Sequence, residues 1–271
     1  VDHIGNENTR IFGEVKKTGE ILNKIEQVAG SNADNKVGII FDWENMWALD
    51  DCQGYAQKDK KYFETLYSYH RVFWERGINC DIVAPDAELS GYKLVIAPML
   101  YLTSQATAEN LRAFVAAGGT LYGTYMLGTV DENDLCHLGG IPGCGLNEVF
   151  GITAEEIDTL YPGEVRHADL GGKCHRLVDY CETLRLRDAQ VLCSYADGYY
   201  KDTPAVTCHS FDAGHAIYQA CRDEGSLKEE ILEQWLYKLG IHSEVFGTLP
   251  HGVTCHSRTD GRFAYVFLEN Y

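Results

Sequence analysis

Apolar positions along this chain follow three rhythms in turn. From Ile11 to Ile25 they recur at helical spacing, with Ile11, Val15, Leu22 and Ile25 forming one stripe. Asn8 or Thr9 is placed to cap that helix and Gly30 to end it. A lone amphipathic helix cannot bury its own stripe, so this one needs a further surface to dock on.

After the polar link Ser31–Asn35, short apolar runs alternate with amphipathic stretches. The run Lys36–Phe41 predicts a buried parallel strand, and Cys80–Ala84, Lys93–Ala97 and Thr120–Thr124 predict three further strands. Between them, Lys60–Arg76 predicts a helix with Tyr62, Phe63, Leu66, Val72 and Phe73 inward, and Thr107–Ala117 predicts another. This alternation predicts an α/β fold with a doubly wound, mainly parallel sheet flanked by helices. Glycines crowd 139–151, which reads as loop. Ala205–Ser210 and His215–Ala220 flank a turn at Phe211–Gly214 and predict a hairpin. A helix follows, with a Ser226/Glu229 capping box and Ile231, Leu232, Trp235, Leu236 and Leu239 buried. The third rhythm, period two from His256 to Tyr271 with a turn at Thr259–Gly261, predicts a short C-terminal antiparallel piece. Its second strand stops at the chain end, so both termini read as cut from something larger. The expected division is 1–34, 35–244 and 245–271.

Composition narrows the function classes. Across 271 residues, 23 Lys and Arg face 40 Asp and Glu, a formal charge of −17 with no basic stripe. Polyanions and anionic membranes would be repelled, so neither nucleic acid nor a membrane is expected as partner. Leu94–Leu102 is interrupted by Pro98 and falls far short of the roughly 20 residues that span a bilayer. The first ten residues lack a signal-peptide pattern. The ten cysteines show no CxxC or zinc spacing, and read as reduced, buried thiols of a cytoplasmic protein without cofactor or metal.

Candidate chemistry is sparse. Asp42 and Glu44 follow the first strand, at the carboxyl edge where open α/β sheets bind ligands. They have the types for acid–base work or cation binding, and equally for capping the next segment and bonding backbone at an interface, which is the reading preferred. Trp43 and Trp47 suit a sugar face or an interface. A nucleophile of an amidotransferase-like domain would stand at Thr124–Gly128, where there is neither Cys nor Ser. The nearest thiol, Cys136, adjoins His137, but adjacent side chains diverge. Asp131–Asp134 reads as a solvated acidic run. No GxGxxG or P-loop occurs.

Several segments together resemble glycoside hydrolase family 42 β-galactosidases. Val1–Gly5, Asn8–Phe12 and Glu14–Val15 are similar to the end of that family's catalytic barrel. Val37–Trp47 (VGIIFDWENMW) resembles the start of its second domain. Leu89–Lys93, Ala97–Tyr101, Gly118–Thr120, Thr124–Tyr125, Val130–Asp134 and Gly139–Gly143 extend the likeness across the chain. The resemblance implies a flavodoxin or class I glutamine amidotransferase-like domain that drives trimerisation, between a barrel remnant and the start of a β domain. It implies retaining hydrolysis by the intact enzyme through two glutamates about 5 Å apart. Both would lie upstream of Val1, so this chain alone is expected to be inactive. The alternatives are an amidotransferase-like enzyme using Cys136 and a carbohydrate-binding module using Trp43 and Trp47. Expected subunit contacts of a homotrimer are Asp42, Trp43, Glu44, Trp47, Tyr125 and Met126.

Overall fold

The computed structural model describes residues 3, 5–55, 59–243 and 249–271. The first helix, α1 (Arg10–Lys24), is capped by the Thr9 hydroxyl, which accepts from the Phe12 amide, and it buries none of its residues. The stripe read from the sequence faces solvent: Val15 and Leu22 are 65% and 59% exposed. Part of the Val1–Gly5 motif and the boundary placed at 244/245 lie outside the described residues.

The α/β body begins with β1 (Val37–Ile40), α2 (Trp43–Asp51), α3 (Tyr62–Trp74), β2 (Cys80–Val83), β3 (Leu94–Ala97), α4 (Gln105–Ala116) and β4 (Thr120–Thr124). It continues through α5 (Leu146–Phe150), β5 (Ile152–Thr159), β6 (Arg166–Leu170), β7 (Lys173–Leu186) and β8 (Gln190–Tyr195). The hairpin β9 (Pro204–Phe211) and β10 (Gly214–Gln219), then β11 (Cys221–Asp223) and α6 (Ser226–Leu239), complete it. A separate antiparallel pair, β12 (Val253–Thr259) and β13 (Ala264–Asn270), ends the chain.

The main sheet runs β11-β7-β6-β8-β9-β10-β4-β3-β1-β2, with β5 also on β7. Its helix-covered part, β10-β4-β3-β1-β2, is parallel throughout. Strands covered on both faces need apolar side chains on both, which is why Val-Gly-Ile-Ile and Leu-Val-Ile-Ala read as unbroken runs. Side chains alternate between two cores. Ile39, Leu94, Ile96, Tyr122 and Ile217 pack under α3 and α6, whereas Ile40, Val95, Ala97, Leu121 and Ala216 pack under α4 and α5. An antiparallel extension of β5–β9 and β11, largely unread from the sequence, continues the sheet.

Two local readings are corrected. Phe63 is 58% exposed. The buried face of α3 runs through Tyr62, Leu66, Tyr69, Val72 and Phe73, and Phe63 lies one helical step off it. The Ser226/Glu229 capping box does not form. Buried Asp223 takes its place, its Oδ2 accepting from the amides of Gly225, Leu227 and Lys228 at 2.8, 3.0 and 3.2 Å. The Ser226 hydroxyl instead bonds His175 Nδ1 at 2.9 Å.

The β9–β10 hairpin sets its register against the α4–β4 turn with no room to spare. A Cβ on Gly214 would stand 2.2 Å from the Val115 carbonyl oxygen and 2.3 Å from that of Gly119, both backbone atoms. Gly214→Ala is therefore expected to cost on the order of 3 kcal/mol, as overpacking against an unyielding backbone does. Gly91, with open space around its Cβ position, supplies the control. Thermal melts in which the two alanine variants behaved alike would contradict this account.

Candidate functional site

The carboxyl edge of the parallel strands gathers the residues singled out from the sequence. Chain order reverses between β1 and β3, which leave from the same region in opposite directions and open the edge there. Just past β1, the Asp42 carboxylate accepts from the Glu44 amide at 3.1 Å and the Asn45 amide at 3.3 Å. It is thus the N-cap of α2, and its oxygens serve orphan helix amides. Asn45 fastens the helix below, donating to the Met99 carbonyl at 3.0 Å and accepting from the Leu102 amide at 2.9 Å. With α2 held at both points, Glu44 faces solvent, and Trp43 and Trp47 stand 57% and 60% exposed, four residues apart on one face.

Those tryptophans have aromatic neighbours that the sequence reading placed elsewhere. Half-buried Phe41 meets Trp43 edge-on with ring centroids 4.9 Å apart, and Phe63 of α3 edge-on at 6.5 Å. Tyr67, one turn beyond Phe63, is also exposed. The signal was in the sequence: Phe63 and Tyr67 share i, i+4 spacing just outside the apolar stripe of α3.

Tyr125 and Met126 lie elsewhere than expected. Both are buried, each 1% exposed, and present no side chain to a partner. Tyr180 stacks on Tyr125 at 5.5 Å, and the Arg222 guanidinium lies 5.5 Å from the Tyr125 ring centre and 5.0 Å from that of Tyr180. The side chains that roof them come from β7 and β11, strands that the sequence pattern did not reveal.

Met126 occupies a sharp turn after β4 with a left-handed φ of +66°. That is the geometry in which an exposed nucleophile is mounted after a strand, but a thioether has no proton to lose. Its amide is spent on a buried carboxylate, donating to Glu182 Oε1 at 2.7 Å, while the Tyr218 hydroxyl donates to Oε2 at 2.7 Å. Cys136 fares no better. The ring of His137 is held elsewhere, its Nε2 bonded to the Thr103 carbonyl at 3.0 Å with Cys144 Sγ 3.6 Å from Nε2 and 3.7 Å from Nδ1. Burial, and next the carboxylates Glu132, Asp131 and Glu109, push the Cys144 thiol up, so the pair holds a thiol rather than a thiolate.

Asp131, in the acidic run, is a loop organiser. Its Oδ1 accepts from the amides of Asn133 and Leu135 at 2.8 and 3.0 Å, which holds its carboxyl below the usual value. Among the described residues no cluster of His, Cys, Asp and Glu is arranged to hold a metal. No described helix is long and apolar enough to cross a membrane.

An edge bearing exposed aromatics fits what the chain is similar to. Residues 35–242 match the family model for the β-galactosidase trimerisation domain. The chain belongs to that family. The β-galactosidase Pbg of Clostridium perfringens is 40% identical over 278 residues, covering 100% of this chain and 40% of the relative. GanA of Bacillus subtilis is 37% identical over 273 residues, with the same shares covered. Among solved structures, Gan42B, a GH42 β-galactosidase from G. stearothermophilus, is 40% identical with a TM-score of 0.92, covering 100% of this chain and 39% of that one. The β-galactosidase of Rahnella sp. R3 is 39% identical, also at 0.92, covering 100% and 41%. The chain thus spans about 40% of the length of the curated relatives it matches.

Within this trimerisation-domain family, the matched region contains the whole α/β body and leaves out both α1 and the β12–β13 pair.

Proposed function

We propose that this chain is the non-catalytic assembly module of a cytoplasmic β-galactosidase whose complete form hydrolyses terminal β-D-galactosides with retention. The observation that carries it is the trimerisation-domain match over 35–242, joined to a strand-end turn occupied by Met126. In this reading 1–34 belongs to the preceding barrel, 35–244 is the assembly domain and 245–271 opens a β domain. The strand order β2-β1-β3-β4-β10 supports a flavodoxin or class I glutamine amidotransferase-like origin, because it is the doubly wound order 2-1-3-4-5 with β10 fifth. Subunit contacts fall on Asp42, Trp43, Glu44 and Trp47, and galactoside is handled by parts of the enzyme outside this chain.

The test is paired. The purified chain is expected to leave a chromogenic β-galactoside at the rate of the enzyme-free blank, while light scattering gives three times the chain mass. Enzyme-like turnover, or a monomer at every concentration, would sink the proposal.

A further inference from the structure

We infer that the trimer contact is head-to-tail: the aromatic ridge of α2 and α3 on one copy receives the Leu135–Leu138 loop of the next. This rests on the assembly-module reading above. Closed threefold symmetry cannot be built from a patch that meets itself, since such a contact closes at two copies, so two different surfaces are required.

The structure supplies two, and both lie inside the matched region 35–242. One is the ridge, two i, i+4 aromatic pairs, Trp43/Trp47 and Phe63/Tyr67, linked through Phe41. The other is the loop after β4, where Leu135 is 62% and Leu138 97% exposed, the latter the most exposed large apolar side chain among those described. That loop is not slack. Asp131 donates its amide to the Leu135 carbonyl at 2.9 Å while its carboxylate holds the Asn133 and Leu135 amides, and the His137 amide donates to the Thr129 carbonyl at 3.0 Å. A loop pinned this way shows leucine to water at a standing cost and loses little freedom when it docks, which is how interface anchors are built. The α2 half of the ridge is likewise fixed, by Asp42 and Asn45.

The other exposed large apolar side chains described in the region, Ile82, Tyr161, Leu186, Val191, Tyr199 and Tyr237, stand singly, none within four residues of another. The stripe of α1 lies outside the matched region, so a second copy is the occupant of the ridge rather than of α1. Both surfaces are edged by carboxylates, Glu44 and Glu132, so the contact draws its strength from its apolar centre rather than from charge pairing.

The test uses the 271-residue chain with Leu138→Asp and, separately, Trp47→Ala, sized by light scattering across concentration. Both side chains are exposed, and unchanged thermal midpoints verify the folds. Each variant is expected to associate about 30-fold more weakly or worse, the loss typical of an interface anchor. A one-to-one mixture is expected to form a heterodimer, since the ridge of the Leu138→Asp copy still fits the loop of the Trp47→Ala copy. If the unaltered chain is monomeric, the assembly reading fails and this pairing with it. If that chain is trimeric but either variant remains so, or the mixture stays monomeric, the pairing alone is wrong.

Discussion

Arg222→Ala is expected to lower the unfolding free energy by about 3–5 kcal/mol, as breaking a buried ion-pair network does. The guanidinium is bound on every side. Its Nε donates to the Tyr125 hydroxyl at 2.7 Å, Nη1 to Asp179 at 2.8 Å, and Nη2 to the Lys60 carbonyl at 2.7 Å and the Thr65 hydroxyl at 2.8 Å. These partners stand on β7, on the entry to α3 and past β4, so one side chain joins segments up to 162 residues apart. Burial works against ionisation of Asp179, yet Arg222 and then Lys61 outweigh it and hold that carboxyl below its usual value. Truncation leaves the partly buried Asp179 carboxylate with Lys61 as its cation and removes the donor to the Tyr125 and Thr65 hydroxyls and the Lys60 carbonyl. Arg222→Lys should recover only part of the loss, because an ammonium cannot reproduce the planar fork. Denaturant melts giving a loss under about 1 kcal/mol for Arg222→Ala would falsify the network's role, measured against the 3–5 kcal/mol expected.

The network also marks where sequence reading stops. Strands β1 and β3 were legible because burial on both faces writes an apolar run into four consecutive residues. The cap at Asp42 was legible because an acidic residue directly before a helix start has one common use. The antiparallel half was not. β7 interleaves Arg176, Asp179, Glu182 and Arg185 among its apolar residues, and no local pattern tells that Asp179 meets Arg222 or Glu182 meets Tyr218. Those partners lie 43 and 36 residues away. For the same reason Tyr125 and Met126 passed as edge residues, when β7 and β11 provide their roof. At the proposed contact, the spacing of Trp43 and Trp47 could be read directly. Leu135 and Leu138 could not, since the acidic run beside them reads as an ordinary solvated loop until Asp131 is seen bonding its amides.

Glu182 should make the stability of the fold depend on pH in the sense opposite to most carboxylates. Burial raises its pKa from an ordinary 4.5 to about 7, against the opposing pull of its bonds from the Met126 amide and the Tyr218 hydroxyl. Between those values the folded chain keeps a proton that the unfolded chain has released. The stabilisation is therefore fully present below pH 4.5 and is lost as pH rises to about 7. At about 1.4 kcal/mol for each pH unit between the two values, the loss amounts to about 3 kcal/mol. Other groups titrate over the same range, so the decisive quantity is the difference between the chain and Glu182→Gln. The amide keeps an acceptor for Met126 and never ionises. Near pH 5 the two should be equally stable, or the variant slightly worse where its amide fits the Tyr218 hydroxyl less well. At pH 8 the variant should lead by about 3 kcal/mol, and Glu182→Ala, which leaves the Met126 amide unpaired, should trail Glu182→Gln throughout. Denaturant unfolding of the three proteins from pH 5 to pH 8 measures this directly. Stability curves for the chain and Glu182→Gln that run parallel across the range would show that the carboxyl titrates as an ordinary glutamate, and that the turn at Met126 is held without any burial cost at its anchor.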